Sequence, residues 1–246
     1  MNAYNPETDT TYDATCEIAL TLAANSTPGG NIPGGSIPGG GRPSIGGGFA
    51  GGSFAPNVPT TMFNDVPTSH YAYEAIKNLY NRGIVSGDEN GNINPDLAIT
   101  REETAKVALL INGIPVEKGL SIDFKDKAKV SGWAYDYVAT AIKYGILKGY
   151  DDGTVRPRDT VSREEMVAIV IRALNVQISG SADSKFVDVE NGRWSVGYIK
   201  AATDLGLITG YGDGTFKPAT DIKRAEAFTI YHRVIKFKDS LVAAIK

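Results

Sequence analysis

Cysteine is almost missing from this chain of 246 residues: Cys16 stands alone. One thiol cannot close an internal disulfide, and with only His70 and His232 beside it there are too few soft ligands for a zinc site. Cys16 therefore reads as a small apolar residue. Long hydrophobic runs are missing too, since Val107 to Ile111 and Met166 to Ile171 fall far short of the ~20 residues that a membrane-spanning helix needs. No charged-then-apolar segment opens the chain, so any export signal is expected upstream or already removed. Nor is there an excess of positive charge. A formal net charge of -3 excludes a general nucleic-acid binder, and an anionic partner would have to be held by local groups. What is present, 42% hydrophobic and 22% charged residues, is the composition of a globular chain.

Residues 1–24 pass from polar to a period of two, with Ile18, Leu20 and Leu22 on one side and Glu17, Ala19 and Thr21 on the other. That is a β-strand pattern. A strand cannot stand alone, so this one is expected either to end a truncated upstream domain or to pair with another molecule in an assembly. From Asn25 to Met62 the chain turns to Gly, Pro and Ser, with Pro-Gly-Gly recurring at Pro28, Pro33 and Pro38. Segment 25–62 is predicted to be a flexible linker with a mean reach of about 35 Å, because it buries too little apolar surface to offset chain entropy.

Beyond the linker the sequence repeats itself three times. With Tyr71, Trp133 and Trp194 aligned, Gly83, Gly145 and Gly206 fall into register, followed by Gly87, Gly149 and Gly210, then Gly91, Gly153 and Gly214. Pro95, Pro157 and Pro218 come next, then Arg101, Arg163 and Arg224, at a period of 62 and then 61 residues. Phe63, Phe124 and Phe186 each stand two residues before Asp65, Asp126 and Asp188. The expected units are 63–122, 123–184 and 185–246.

Each copy reads as helix, glycine-punctuated loop, helix. In the second, Tyr137, Val138, Ala141 and Ile142 have helical spacing, and Gly145 is placed to close that helix in the left-handed conformation. The loop from Gly149 to Thr154 reads as a tight turn. Thr100-Arg-Glu-Glu103 and Ser162-Arg-Glu-Glu165 both fit the capping box, marking second-helix starts. Met166 to Ile171 is apolar nearly all round, which predicts a central helix and, with three copies, a pseudo-threefold bundle. The fold class expected is mainly α.

The Phe-x-Asp opening, Trp133-Ala134, Gly-Ile-Leu-Lys-Gly-Tyr-Asp-Asp-Gly-Thr from 145 to 154 and Ile-Thr-Arg-Glu-Glu from 99 to 103 resemble S-layer homology domains, over residues 63 to about 235. The resemblance implies a three-pronged pseudo-trimer on the cell surface. Its inter-repeat grooves would bind an anionic secondary cell-wall polysaccharide, through a terminal sugar carrying a pyruvate ketal. It implies neither enzymatic activity nor a cofactor or metal. The family's Thr-Arg-Ala-Glu motif maps onto Thr100 to Glu103, Ser162 to Glu165 and Lys223 to Glu226. A guanidinium beside the N–H groups of a helix start offers a carboxylate a charge and a bidentate fork together. Arg101, Arg163 and Arg224 are thus the expected ligand contacts, with the hydroxyls of Thr100 and Ser162 donating beside them and Lys223 adding a cation. Trp133 and Trp194 would be sugar platforms, and Gly87, Gly149 and Gly210 would admit the ligand to the backbone. Asp65, Asp126 and Asp188 would cap a turn or orient an arginine. Arg163 ranks first, because its own repeat combines the tryptophan, the full glycine loop and the hydroxyl cap.

Other readings of the same residues stay open. The arginines could pair with Asp65, Asp126 or Asp188 of a neighbouring repeat, and the tryptophans could pack in the core. Adjacent residues on a helix point about 100° apart, so Glu102-Glu103 or Glu164-Glu165 cannot flank one scissile bond. Asp88-x-Asn90-Gly91 and Asp151-Asp152-Gly153 suggest calcium loops but lack EF-hand spacing, and turns are favoured. The chain could also be the wall-facing foot of a lattice or fibre subunit, with residues 1–24 as its assembly strand.

Overall fold

The computed structural model describes residues 62–178 and 183–245; the strand-like segment 1–24 and all of the linker before Met62 lie outside the described residues. Each copy supplies a short helix and, beyond the glycine loop, a second helix. α1 (Tyr73–Asn81) and α2 (Arg101–Asn112) come from the first copy, α3 (Tyr135–Lys143) and α4 (Arg163–Ala173) from the second, α5 (Val196–Asp204) and α6 (Arg224–Ile245) from the third. Two 3-10 turns, Lys127–Lys129 and Gly132–Ala134, precede α3. The mainly α reading of three repeats holds.

Starts and stops follow local sequence. Thr100 and Ser162 accept the N–H of Glu103 and Glu165, whose carboxylates accept the N–H of Thr100 and Ser162 in return, so both capping boxes form. Gly145, at φ +67°, closes α3 as the pattern predicts. α2 ends on Gly113 (φ +64°) and α4 just before Asn175 (φ +55°). The aligned residue of the third copy is Lys236, which favours no left-handed turn, and α6 runs on to Ile245.

The three second helices meet at the centre, with α2 packed against both α4 and α6. Met166 to Ile171 are buried throughout, as expected of a helix apolar on every side. Tyr231 of α6, also buried, donates its hydroxyl to the Thr104 carbonyl of α2 at 2.9 Å. Short helices pack on the preceding copy: α3 on α2, α5 on α4, and α1 on α6. That last pairing closes the three copies into a ring.

The pseudo-threefold axis is marked by a cycle of backbone hydrogen bonds. Ile99 N–H donates to Ile222 O (3.2 Å), Ile222 N–H to Val161 O (2.8 Å) and Val161 N–H to Ile99 O (3.0 Å). All three side chains have 0% exposure. Each copy thus enters its second helix from the centre of the molecule, with its first helical residue aimed at the next copy.

Candidate functional site

Arg101, Arg163 and Arg224 begin α2, α4 and α6, and each reaches into the loop of the following copy. Arg101, only 3% exposed, donates from Nε to Val155 O (2.8 Å) and from Nη2 to Lys148 O (2.6 Å), and pairs through Nη1 with Glu165 (3.1 Å). Arg163, 6% exposed, donates from Nε to Phe216 O (2.8 Å) and pairs with Glu226 (3.3 Å). Arg224 donates from Nε to Ile93 O (2.8 Å) and pairs with Glu103. The ion pairs form a second closed cycle around the axis. Their acceptors are the capping-box glutamates of the next copy, not Asp65, Asp126 or Asp188; Arg101 and Arg163 are buried and Arg224 is partly buried.

The expectation that a ligand would meet free N–H groups at these helix starts is corrected. Arg101 N–H donates to Asp159 O (3.0 Å) and Glu102 N–H to Pro157 O (2.8 Å); Arg163 and Glu164 donate to Thr220 O and Pro218 O, and Arg224 and Ala225 to Leu97 O and Pro95 O. A buried helix start must satisfy its orphan donors internally, and the loop of the next copy does so. The cap hydroxyls are committed as well, Thr100 Oγ1 donating to Glu103 (2.9 Å) and Ser162 Oγ to Glu165 (3.0 Å). Lys223 keeps half a capping box, its N–H on Glu226, and its Nζ pairs with the exposed Asp96 at 2.9 Å.

Asp65, Asp126 and Asp188 hold the far end of the loop. Each carboxylate accepts two successive N–H groups: Ile93 and Asn94, Val155 and Arg156, Phe216 and Lys217, at 2.6–3.0 Å. The second residue of each pair has a positive φ, +54°, +49° and +59°. The aspartates therefore stabilise a left-handed residue that is not glycine, and they cap a turn 28–30 residues downstream. Gly87, Gly149 and Gly210 have a structural task of the same kind. A Cβ on Gly149 would stand 2.1 Å from the Phe124 ring, and one on Gly210 2.3 Å from the Phe186 ring. The missing side chain makes room for the Phe-x-Asp phenylalanine, a packing reason for glycine beside the expected one of ligand access.

The aromatic residues are placed differently. Trp133 is 52% exposed, Trp194 54% and Tyr71 67%. They are not core residues; they line grooves built from all three copies. One, of about 530 Å³, joins Arg101 of the first copy, Gly149, Tyr150, Ser162 and Arg172 of the second and Trp194 of the third. The corresponding groove of about 250 Å³ joins Arg224, Glu103, Lys106 and Trp133. A third, also about 250 Å³, joins Arg163, Gly210, Tyr211, Arg233 and Tyr71. The features on which Arg163 ranks first do not meet at Arg163. Its groove holds Tyr71, and the complete set of tryptophan, glycine loop and hydroxyl cap faces Arg101.

Electrostatics within the large groove are balanced. Burial works to raise the Glu165 carboxyl, yet the Tyr150 hydroxyl (2.5 Å), the Ser162 N–H and Arg101 together hold it below the ordinary glutamate value. Tyr150 itself is pushed up to about 12 by burial and by that hydrogen bond. The Arg101 guanidinium stacks 4.6 Å from the Tyr150 ring.

A sequence model of the S-layer homology domain matches residues 63–105, 123–167 and 185–228. The chain belongs to the S-layer homology family. It is 30% identical over 182 residues to a surface-layer 125 kDa protein of Lysinibacillus sphaericus, covering 72% of this chain and 15% of that protein. It is 33% identical over 135 residues to a cellulosome-anchoring protein of Acetivibrio thermocellus (54% of this chain, 30% of that protein). It is 31% identical over 167 residues to an uncharacterized cell wall amidase of Bacillus anthracis (67% and 30%). The chain thus spans less than a third of the length of each of these relatives.

Each S-layer homology match ends inside a second helix, so every groove is shared between matched spans rather than contained in one. That is why reading the repeats singly missed the partners. Glu103, Glu165 and Glu226 recur two residues after each arginine and could have been paired with them from the repeat alone. The acceptor carbonyls of Ile93, Val155 and Phe216 leave no side-chain signal. Arg172 and Lys106 were missed because they occupy different positions of the repeat, nine and five residues after the aligned arginine.

Proposed function

We propose that the three repeats hold a bacterial surface protein on the cell wall without a covalent bond, by gripping an anionic wall polysaccharide in the grooves between copies. The observation that carries this is the exposure of Trp133 and Trp194 in grooves that also hold Lys106 and Arg172, cations with no ion pair among the described residues. An indole face that the core does not use offers a sugar ring flat apolar area, with polar groups beside it to orient the ring. The names of the relatives favour the same reading. A surface-layer protein, a cellulosome-anchoring protein and an amidase share this segment over a minor part of their lengths, as expected of a portable anchor. Catalysis is disfavoured, because the helix-start glutamates are committed. Glu102 accepts from Ser131 and Glu164 from Arg193 and Ser195, while Glu103 and Glu165 serve capping and ion pairing. The ligand fits best as a terminal sugar bearing a pyruvate ketal, whose one carboxylate suits a local cation in a chain of net charge -3.

Purified cell walls test this. The chain is expected to sediment with intact walls and to stay in solution once the wall polymer has been chemically extracted; retention on extracted walls overturns the proposal. A second reading, in which the same repeats are the foot of a lattice-forming subunit, draws on the surface-layer relative. Electron microscopy of the purified full-length protein, looking for ordered sheets or fibres, tests it.

A further inference from the structure

Two cations that the sequence repeat does not align occupy corresponding places in two grooves. In the 530 Å³ groove the Arg172 guanidinium of α4 lies 4.8 Å from the Tyr198 ring centroid, with Nε donating to the Tyr198 hydroxyl at 3.1 Å. Tyr198 in turn meets Trp194 edge-on at 6.2 Å. In the Trp133 groove the Lys106 ammonium of α2 lies 5.6 Å from the Trp133 ring and 5.9 Å from the Tyr137 ring. Trp133 with Tyr137, and Trp194 with Tyr198, are aligned pairs. Lys106 and Arg172 are not, because Ala168 aligns with Lys106 and Leu110 with Arg172. Positions 106 and 110 lie one helical turn apart on the same face, so each groove receives its cation on the same wall by a different route.

Their charges also differ from those at the helix starts. Arg101 and Arg224 face carboxylates, whereas neither Lys106 nor Arg172 joins an ion pair among the described residues. An aromatic partner holds a cation in place without cancelling its charge, so the group remains able to attract an anion and loses little side-chain freedom on binding.

We infer that Arg172 and Lys106, rather than the arginines at the helix starts, receive the carboxylate of the ligand, while Trp194 and Trp133 carry the sugar ring beside it. The inference rests on the wall-polysaccharide reading above. The remaining groove contributes little: Arg233 lines it with Tyr71, but Ala75 stands where the second ring would be, and Arg233 Nη1 donates to Leu207 O at 3.4 Å.

Calorimetric titration of the full chain with pyruvylated wall-polymer fragments, and with the same fragments after removal of pyruvate, tests the assignment. Arg172→Gln and Lys106→Gln are each expected to weaken binding of the pyruvylated fragment about three- to tenfold, and the double variant more than tenfold. Arg233→Gln should change it less than about twofold, and Arg172→Lys, which keeps the charge, should recover part of the loss. Affinity for the depyruvylated fragment should be the same in all variants, each checked for unchanged helical circular dichroism. A double variant that binds the pyruvylated fragment as tightly as wild type overturns the inference and leaves wall anchoring intact. Wild type binding both fragments equally overturns it by removing the carboxylate, and wild type binding neither overturns it together with the anchoring proposal.

Discussion

A single methyl group tests what the loop glycines do. At Gly149 an added Cβ would meet the Phe124 ring at 2.1 and 2.6 Å and the Thr154 carbonyl at 2.8 Å, so ring and loop cannot both stay. Gly149→Ala is expected to lower stability by about 1–3 kcal/mol through overpacking. Gly87→Ala should cost less, since its nearest contact is a Phe63 ring atom at 2.8 Å. Urea midpoints at one pH compare the two, and equal midpoints for wild type and Gly149→Ala would show that the loop yields freely. The buried arginines make a different demand. Removing Arg101 strands the Glu165 carboxylate and the Val155 and Lys148 carbonyls without their donor, so Arg101→Ala is expected to cost about 3–5 kcal/mol. Adding Glu165→Gln should recover part of that loss. Thermal melts of the single and double variants measure it; a single variant with wild-type stability would return Arg101 to the ligand.

Among the helices, α6 is the one whose length has consequences. Its extra turns bring Arg82 onto Asp239 (2.8 Å) and Lys238 onto the Ile111 carbonyl at the end of α2 (3.0 Å). Burial lowers the Lys238 amino group to about 8, with Asp239 acting in the opposite direction. The unfolded chain keeps this proton to about pH 10.4. Between those values the unfolded state binds more protons than the folded state, so this residue makes stability rise with pH from about 8 to 10. Tyr150 acts in the opposite sense above that window. Its folded value of about 12 means that its contribution is complete below about pH 10 and is lost as the pH climbs towards 12. Denaturant midpoints from pH 7 to 10 should therefore show a rise that Lys238→Met abolishes. A rise that persists in the variant would assign it to another group.

At the scale of the molecule, the cyclic arrangement couples all three copies. α1 packs on α6, Arg224 pairs with Glu103, and Ile99, Val161 and Ile222 share one cycle of hydrogen bonds, so no copy keeps its neighbours when another opens. An open array of repeats unfolds from its ends, whereas a closed ring has none. Residues 62–245 are therefore expected to unfold in one transition, with coincident tryptophan fluorescence and circular dichroism. A chain truncated before Arg224 should lose the helicity of its first copy as well. Separate transitions, or a truncated chain that keeps its remaining helices, would show that the copies are independent.

The helices could be read from the sequence because their causes are local. Thr100 and Ser162 announce capping boxes within four residues, Gly145 closes α3 within one, and the run from Met166 to Ile171 can only be buried. The threefold followed from the register of the repeats. What the sequence could not contain was the set of partners, because each groove is assembled from three distant stretches of chain. Trp194 meets the loop of the second copy and the arginine of the first, so residues that lie together in one repeat face different grooves. The orphan donors of each helix start had to be satisfied somewhere, and only the closed ring decided that Asp159, Thr220 and Leu97 would supply the acceptors. The same closure buried Arg101 and Arg163 against glutamates and left Trp133, Trp194, Lys106 and Arg172 lining the grooves, because packing consumes a side chain only where a neighbouring copy comes to meet it.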